Sequence, residues 1–374
     1  MKILINGRLL IEEKLEGIGV FAWETLSRMA RNHPEVEFYC LFDRQPGTCF
    51  LRHPNIIPIQ AGPKTRHPLL WYFWMEQVVP GIIKKIKPDL FFSPDGFLSL
   101  RTRVPSLPVI HDLNFEYFPD HLPPAARRYY RRFFPRYALK GKRVITVSEY
   151  SRKTIMEKYG IREEQIDVVY NGSKENFRPA TFSMKEETRR KYSGGKPYFL
   201  YVGSLHPRKN IPRMLLAYEK FRETTGIHIR FVIAGEKMGW AAEYESIAGK
   251  LKYREDLIFT GRVNDQTLNE LYGAAFSLVY VPYFEGFGIP LIEAMNCETP
   301  IITGNVTSLP EVAGDAALYA NPYSVDSITE SMIRISSDEN LRTLLIQKGK
   351  LRKEQFSWEK TAEKVWQSIL KSCP

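Results

Sequence analysis

Short, almost continuously apolar runs alternate with longer stretches of helical periodicity along nearly the whole chain, and this alternation leaves few folds open. Strands are expected near 2–6, 36–42, 89–92, 108–111, 143–147 and 166–170, and again near 198–203, 229–234, 257–260, 276–281, 299–302 and 317–319. Helices lie between them, for example over 211–223 and 289–296. Strands without a polar face must be covered on both sides, so the fold class is α/β with doubly wound parallel sheets. A chain of 374 residues exceeds one ordinary domain, and its 44% hydrophobic content supplies two cores. The polar stretch 177–197, with its Gly-Gly pair and two prolines, reads as the break between halves. The expected domains are 1–180, 196–355 and a terminal helix within 356–374. Trp358, Ala362, Val365, Trp366, Ile369 and Leu370 give that helix one broad apolar face. Docking on the first domain and packing on its own domain both fit.

No run of 18 apolar residues occurs, so no membrane-spanning helix is expected. The opening MKILINGRLL reads as a first strand rather than an export signal. Cys40, Cys49, Cys297 and Cys373 lack metal-like spacing and suit reduced thiols in a cytoplasmic protein. The net charge of +11 fits nucleic acid, an anionic membrane surface or an anionic small substrate, and does not choose among them.

The most specific pattern is Glu285-Gly286-Phe287-Gly288-Ile289-Pro290-Leu291-Ile292-Glu293, which follows the apolar run FSLVYV. It therefore stands at the carboxyl end of a parallel strand, where open α/β sheets bind ligands. The glycines let a backbone approach a ligand closely, and Pro290 suits the first turn of the next helix. The N–H groups of Gly286, Phe287, Gly288 and Ile289 are expected as donors to phosphate or sugar oxygens. Glu293 can grip a vicinal diol such as ribose, and Glu285 can reach hexose hydroxyls.

A second pattern, Gly203-Ser204-Leu205-His206-Pro207-Arg208-Lys209-Asn210, also follows a strand. Arg208 offers a planar fork for phosphate oxygens, Lys209 a point charge, and Asn210 a helix cap. Cations fixed there stabilise a leaving diphosphate as it gains charge. No Asp-x-Asp triplet occurs, so a carboxylate clamp for a nucleotide-bound metal is missing and no metal is expected.

In the first half, Gly17 and Gly19 open the first helix and, with Ala22, match a G-x-G-x-x-A dinucleotide fingerprint. The residues from about Leu10 to Glu16 separate them from the strand, and Asp43 stands 26 residues beyond Gly17. A floor for a diphosphate or an acceptor suits this loop better. His111, at the end of the run PVIH, can hydrogen-bond a sugar hydroxyl; a capped turn with Asp112 is the plainer reading.

Taken together these motifs resemble the family-4 retaining glycosyltransferases of the GT-B fold. The likeness runs from the glycine loop through VIHD at 109–112, VSEYSR at 147–152, Asn171-Gly172, VGSLHPRKN, FTGRV at 259–263 and E-x7-E to FSWEKTAEKVW. It implies two Rossmann-like domains facing across a cleft, with the terminal helix crossing back to the first. It also implies roles: Arg208 and Lys209 on the diphosphate, Glu293 on the ribose, Glu285 with the 286–289 amides on the transferred sugar. Gly261, Arg262 and Val263 would lie against the base and His111 beside the sugar. Ser204 and His206 depart from the family's common residues. The wording of VGSL-x-PRKN and VIHDLNFEYFP is similar to bacterial mannosyltransferases of surface-polysaccharide assembly, which favours GDP-mannose and a glycan or lipid-linked acceptor.

Residues 127–143 hold eight basic and five aromatic residues and no acid. An anionic membrane contact and an ordinary core helix with solvated arginines are both open, as they are for the aromatic run at 68–80. An NAD(P)-dependent oxidoreductase and a non-catalytic nucleic-acid binder are the rival functions, but neither explains E-x7-E together with PRKN. Phosphorolysis on the same scaffold would want a pyridoxal-binding lysine environment that the sequence does not reveal.

Overall fold

The structure is a computed structural model and describes residues 1–12, 15–236 and 241–373. The chain divides into two units, residues 1–172 with 357–374, and residues 173–356.

The first unit holds β1 (Lys2–Asn6), β2 (Glu37–Phe42), β3 (Ile56–Gln60), β4 (Leu90–Ser93), β5 (Ser106–Pro108), β6 (Val144–Thr146) and β7 (Ile166–Val168). Its main sheet runs β3-β2-β1-β4-β5, all parallel, and β6 pairs with β7. The run expected as a strand at 108–111 is displaced: Val109 bridges to Ile145, and the Ile110 N–H donates to the Ile145 carbonyl at 2.8 Å. Ile3, Leu4 and Ile5 are all buried, as a strand covered on both faces requires. β3 is a strand the sequence pattern did not disclose. Pro58 interrupts its run, and a proline is tolerated there because β3 is an edge strand pairing only with β2.

The second unit holds β8 (Tyr198–Val202), β9 (Arg230–Ala234), β10 (Leu257–Gly261), β11 (Ser277–Tyr280), β12 (Ile301–Gly304) and β13 (Leu318–Ala320). Its order is β10-β9-β8-β11-β12-β13, again parallel. Each unit is thus doubly wound, with strand order reversing beside its first strand.

Two connections differ from the sequence pattern or resolve it. Most of the expected linker is helix Phe182–Ser193, inside the second unit. Thr181 caps its start through Met184 N, and Gly194 ends it at φ 55. Only Thr188 and Ser193 are buried along it, so no hydrophobic periodicity marks it as a helix. The terminal helix Trp358–Ser372 belongs to the first unit and packs on helix Gly17–Asn32. Trp366 stacks on His33 at 3.9 Å, and Glu359 takes hydrogen bonds from Arg28 and Arg31. The Thr361 hydroxyl donates to the Tyr170 carbonyl at 2.7 Å.

Candidate active site

β8 and β11 adjoin in the sheet although distant in sequence, so their carboxyl ends mark the switch point of the second unit. Glycines let three strand ends nest there. The Gly203 N–H donates to the Ala234 carbonyl and the Gly235 N–H to the Gly261 carbonyl, both at 3.0 Å. A Cβ at Gly235 would lie 1.8 Å from the Gly203 carbonyl oxygen. Gly203 itself has φ 144 and Gly261 φ 68, conformations that favour glycine. Ser204 continues the turn, its carbonyl accepting from the Tyr201 hydroxyl at 3.1 Å.

The chain then forms a single 3-10 turn over Pro207–Lys209. His206 caps it, its Nδ1 accepting from the Arg208 N–H at 3.3 Å. The capping role expected of Asn210 is corrected: it adopts φ 62 and makes no side-chain cap. Its Nδ2 instead donates to the carbonyls of Val281 (2.9 Å) and Pro322 (2.7 Å), tying this turn to the loop after β11. A backbone bond from Tyr283 N–H to the Arg208 carbonyl at 2.9 Å makes a second tie.

These ties bring Arg208 and Lys209 onto Glu285. Its Oε2 accepts from Arg208 Nη1 at 3.0 Å, Lys209 Nζ at 2.5 Å and the Tyr280 hydroxyl at 3.0 Å. Lys209 also donates to the Tyr280 oxygen at 2.6 Å. Burial would raise the Glu285 carboxyl, but the two cations and the hydroxyl hold it down at about 2. Burial pushes the Tyr280 phenol well above its ordinary range, so it stays a neutral bridge. The Ser308 hydroxyl donates to the carbonyls of Glu285 and Phe287, each at 2.9 Å, and fixes the loop. Gly286, Phe287 and Gly288 are buried, and Gly288 at φ 110 precedes helix Ile289–Asn296 with Pro290 in its first turn.

Glu293 lies on that helix in a different environment. The Tyr272 hydroxyl donates to its Oε2 at 2.9 Å. Burial raises its carboxyl to about 7, the hydroxyl offsetting only part of the shift. The two glutamates of one motif thus hold opposite protonation tendencies at neutral pH. Gly261 closes β10; beyond it Arg262 is exposed and stands 3.9 Å from Glu236, while Val263 is half-buried.

In the first unit, His111 Nε2 lies 2.8 Å from the Pro94 carbonyl. A carbonyl only accepts, so Nε2 carries the proton. Burial lowers the His111 pKa below its ordinary value, and the ring is neutral with Nδ1 an acceptor. The Phe21 ring packs edge-on against it at 5.0 Å. Gly17 and Gly19 form the first turn of helix Gly17–Asn32 rather than a loop. Gly19 is required by packing, since a Cβ there would meet the Leu9 carbonyl at 2.7 Å. Ten residues separate the end of β1 from Gly17, unlike the tight turn of a dinucleotide fingerprint.

Sequence reasoning missed Tyr280, Tyr272, Gly235 and Ser308. A tyrosine ending a buried apolar strand was the available signal for Tyr280, because a buried phenol needs a polar partner.

Residues 15–174 match the family profile described as Glycosyltransferase Family 4, and residues 184–352 that described as Glycosyl transferases group 1. The chain is similar to O-antigen chain mannosyltransferase B of Escherichia coli, 28% identical over 365 residues, spanning 93% of this chain and 94% of that one. O-antigen chain mannosyltransferase RfbU of Salmonella typhimurium is 29% identical over 273 residues, covering 72% of this chain and 71% of its own. Among solved structures, Anabaena Alr3699/HepE in complex with UDP and glucose superposes with a TM-score of 0.77 at 16% identity, covering 99% of this chain and 100% of that one. At that identity the likeness concerns the fold.

Proposed function

The chain belongs to glycosyltransferase family 4, and we propose that it moves mannose from GDP-mannose, with retained anomeric configuration, to a glycan or lipid-linked glycan acceptor in polysaccharide biosynthesis. The observation that carries the site assignment is the convergence of Arg208 and Lys209 on the half-buried Glu285 carboxylate at the switch point of the second unit. Two cations held together by one carboxylate suit an incoming diphosphate, which can take that carboxylate's place. Glu285 is then released towards the transferred sugar, while Glu293 takes the ribose hydroxyls. Gly203, Ser204 and the 286–289 segment line the donor, Gly261 to Val263 its base, and Gly17 and Gly19 the diphosphate or acceptor. His111 accepts a hydrogen bond from a sugar hydroxyl through Nδ1.

In the proposed step the bond from sugar C1 to the diphosphate oxygen breaks and the acceptor oxygen bonds C1 from the same face. The acceptor proton passes to the departing phosphate, whose charge Arg208 and Lys209 stabilise; no metal or cofactor takes part. Mannose is favoured by the names of the two mannosyltransferase relatives. The enzyme is placed in the cytoplasm, with a peripheral contact to the inner face of the membrane where a lipid-linked acceptor waits.

A thermal-shift panel with GDP, UDP, ADP, dTDP and NAD, with and without EDTA, tests this reading, since a ligand bound only by the native state stabilises it. Stabilisation by GDP, unchanged by EDTA, is expected. A response to UDP alone would move the donor to a UDP-sugar, and a response to NAD alone would overturn the assignment.

A further inference from the structure

The basic, aromatic segment has no task in the proposed reaction. It forms helix Pro124–Lys140, and its aromatic side packs inward: Tyr129, Phe134 and Tyr137 are buried among Phe97 and Trp71. Most of the long side chains that face solvent are arginines, with Leu139 at 64% exposure near the helix end. Arg128, Arg132 and Arg136 recur every four residues and are all exposed, and the helix carries no acid. Arg127 and Arg131 are different, since they pair with Asp120 and Glu116.

Beside this helix runs a helical stretch from Pro68 to Ile86. It buries Trp74, Met75 and Glu76 but leaves Leu69 at 74% exposure and Tyr72 and Phe73 at 46% each. Spaced i, i+3, i+4, the three occupy one helix face. The two exposed surfaces adjoin through Phe133, whose ring lies 5.6 Å from Tyr72 and 5.7 Å from the Arg132 guanidinium. Among the described residues no helix is long and apolar enough to cross a membrane.

We propose that this face of the first unit is a membrane-docking surface, in which Leu69, Tyr72 and Phe73 enter the interfacial layer of an anionic bilayer while Arg128, Arg132 and Arg136 bind headgroup phosphates. It deepens the peripheral membrane contact of the proposed function and is independent of the donor's identity. The occupant follows from the chemistry. Leucine, tyrosine and phenylalanine clustered at a cationic rim match the division of a bilayer interface into acyl and phosphate zones. Guanidinium forks suit phosphate oxygens. An acidic protein partner would need the arginines but not three apolar side chains directed outward.

Sedimentation of the full chain with phosphatidylcholine vesicles, alone or mixed with phosphatidylglycerol, tests the surface. Wild type is expected to pellet with the anionic vesicles and to be released by salt. The Arg128→Glu, Arg132→Glu, Arg136→Glu triple variant should lose this binding, since each removed arginine weakens it about fivefold. The Leu69→Ser, Tyr72→Ser, Phe73→Ser variant keeps every charge and should bind at least tenfold more weakly. All six side chains are exposed, so both variants should retain the wild-type thermal midpoint. If wild type pellets but the serine variant pellets equally, this surface is wrong while membrane contact stands. If wild type does not pellet, or pellets equally with phosphatidylcholine alone, both are wrong.

Discussion

The Tyr280 hydroxyl and the Lys209 ammonium lie 2.6 Å apart at the carboxyl end of β11, and the same hydroxyl donates to Glu285 at 3.0 Å. Tyr280 therefore anchors the lysine by a bond that does not depend on the carboxylate. In the proposed reaction, where a diphosphate displaces Glu285, that anchor would keep Nζ where the leaving group gains charge. Tyr280→Phe is expected to lower kcat about tenfold or more, because a hydrogen bond to a charged group contributes roughly 1.5–3 kcal/mol. Nucleoside diphosphate affinity should change far less. Steady-state kinetics beside a nucleotide titration separate the two, and an unchanged kcat would remove Tyr280 from the machinery.

Arg208→Ala should cost more. An oriented donor at a developing charge contributes about 2.7–4 kcal/mol, so kcat should fall by two to three orders of magnitude. The measurement is single-turnover transfer at saturating donor. Near-normal turnover would show that Lys209 alone meets the diphosphate.

The raised Glu293 carboxyl gives a pH-dependent stability with a definite sign. Its pKa rises on folding from an ordinary 4.5 to about 7. The native state therefore binds the extra proton, and the associated stability is fully present below 4.5 and lost as pH rises through about 7. Glu293→Gln removes the penalty of ionising a half-buried acid and should stabilise the ligand-free protein at pH 8, by at most on the order of 3 kcal/mol. At pH 4 the two proteins should melt alike. Melting curves across this range check it, and a gain of equal size at both pH values would contradict the assignment.

His111 is expected to be neutral at neutral pH, with the proton on Nε2, because burial lowers its pKa below the ordinary value. Nitrogen chemical shifts of the labelled ring report this tautomer directly. A protonated ring at neutral pH would reverse its role from acceptor to donor.

Gly235→Ala would place a methyl carbon against the Gly203 carbonyl, a backbone atom that can move only by shifting the donor loop. A loss on the order of 3 kcal/mol in stability is expected, together with weaker nucleotide binding. Urea denaturation with and without nucleotide measures both.

The sequence by itself determined the kind of protein. Apolar strands alternating with helices admit a parallel doubly wound architecture, and E-x7-E and PRKN, each following a strand, pointed to one ligand site. These features are local and periodic, so they survive in one dimension. Tertiary structure decided what depends on neighbours far apart in the chain. It made Pro58 part of an edge strand, helix 182–193 part of the second unit, and Asn210 a tie rather than a cap. It turned the aromatics of 124–140 inward and left Leu69, Tyr72 and Phe73 outside. It also divided the two glutamates of one motif, holding Glu285 near 2 and Glu293 near 7. Both lie on the same short stretch, but only Glu285 meets cations supplied from the end of β8, some 76 residues away. Burial and charge pairing arise from packing, and a one-dimensional pattern does not carry them.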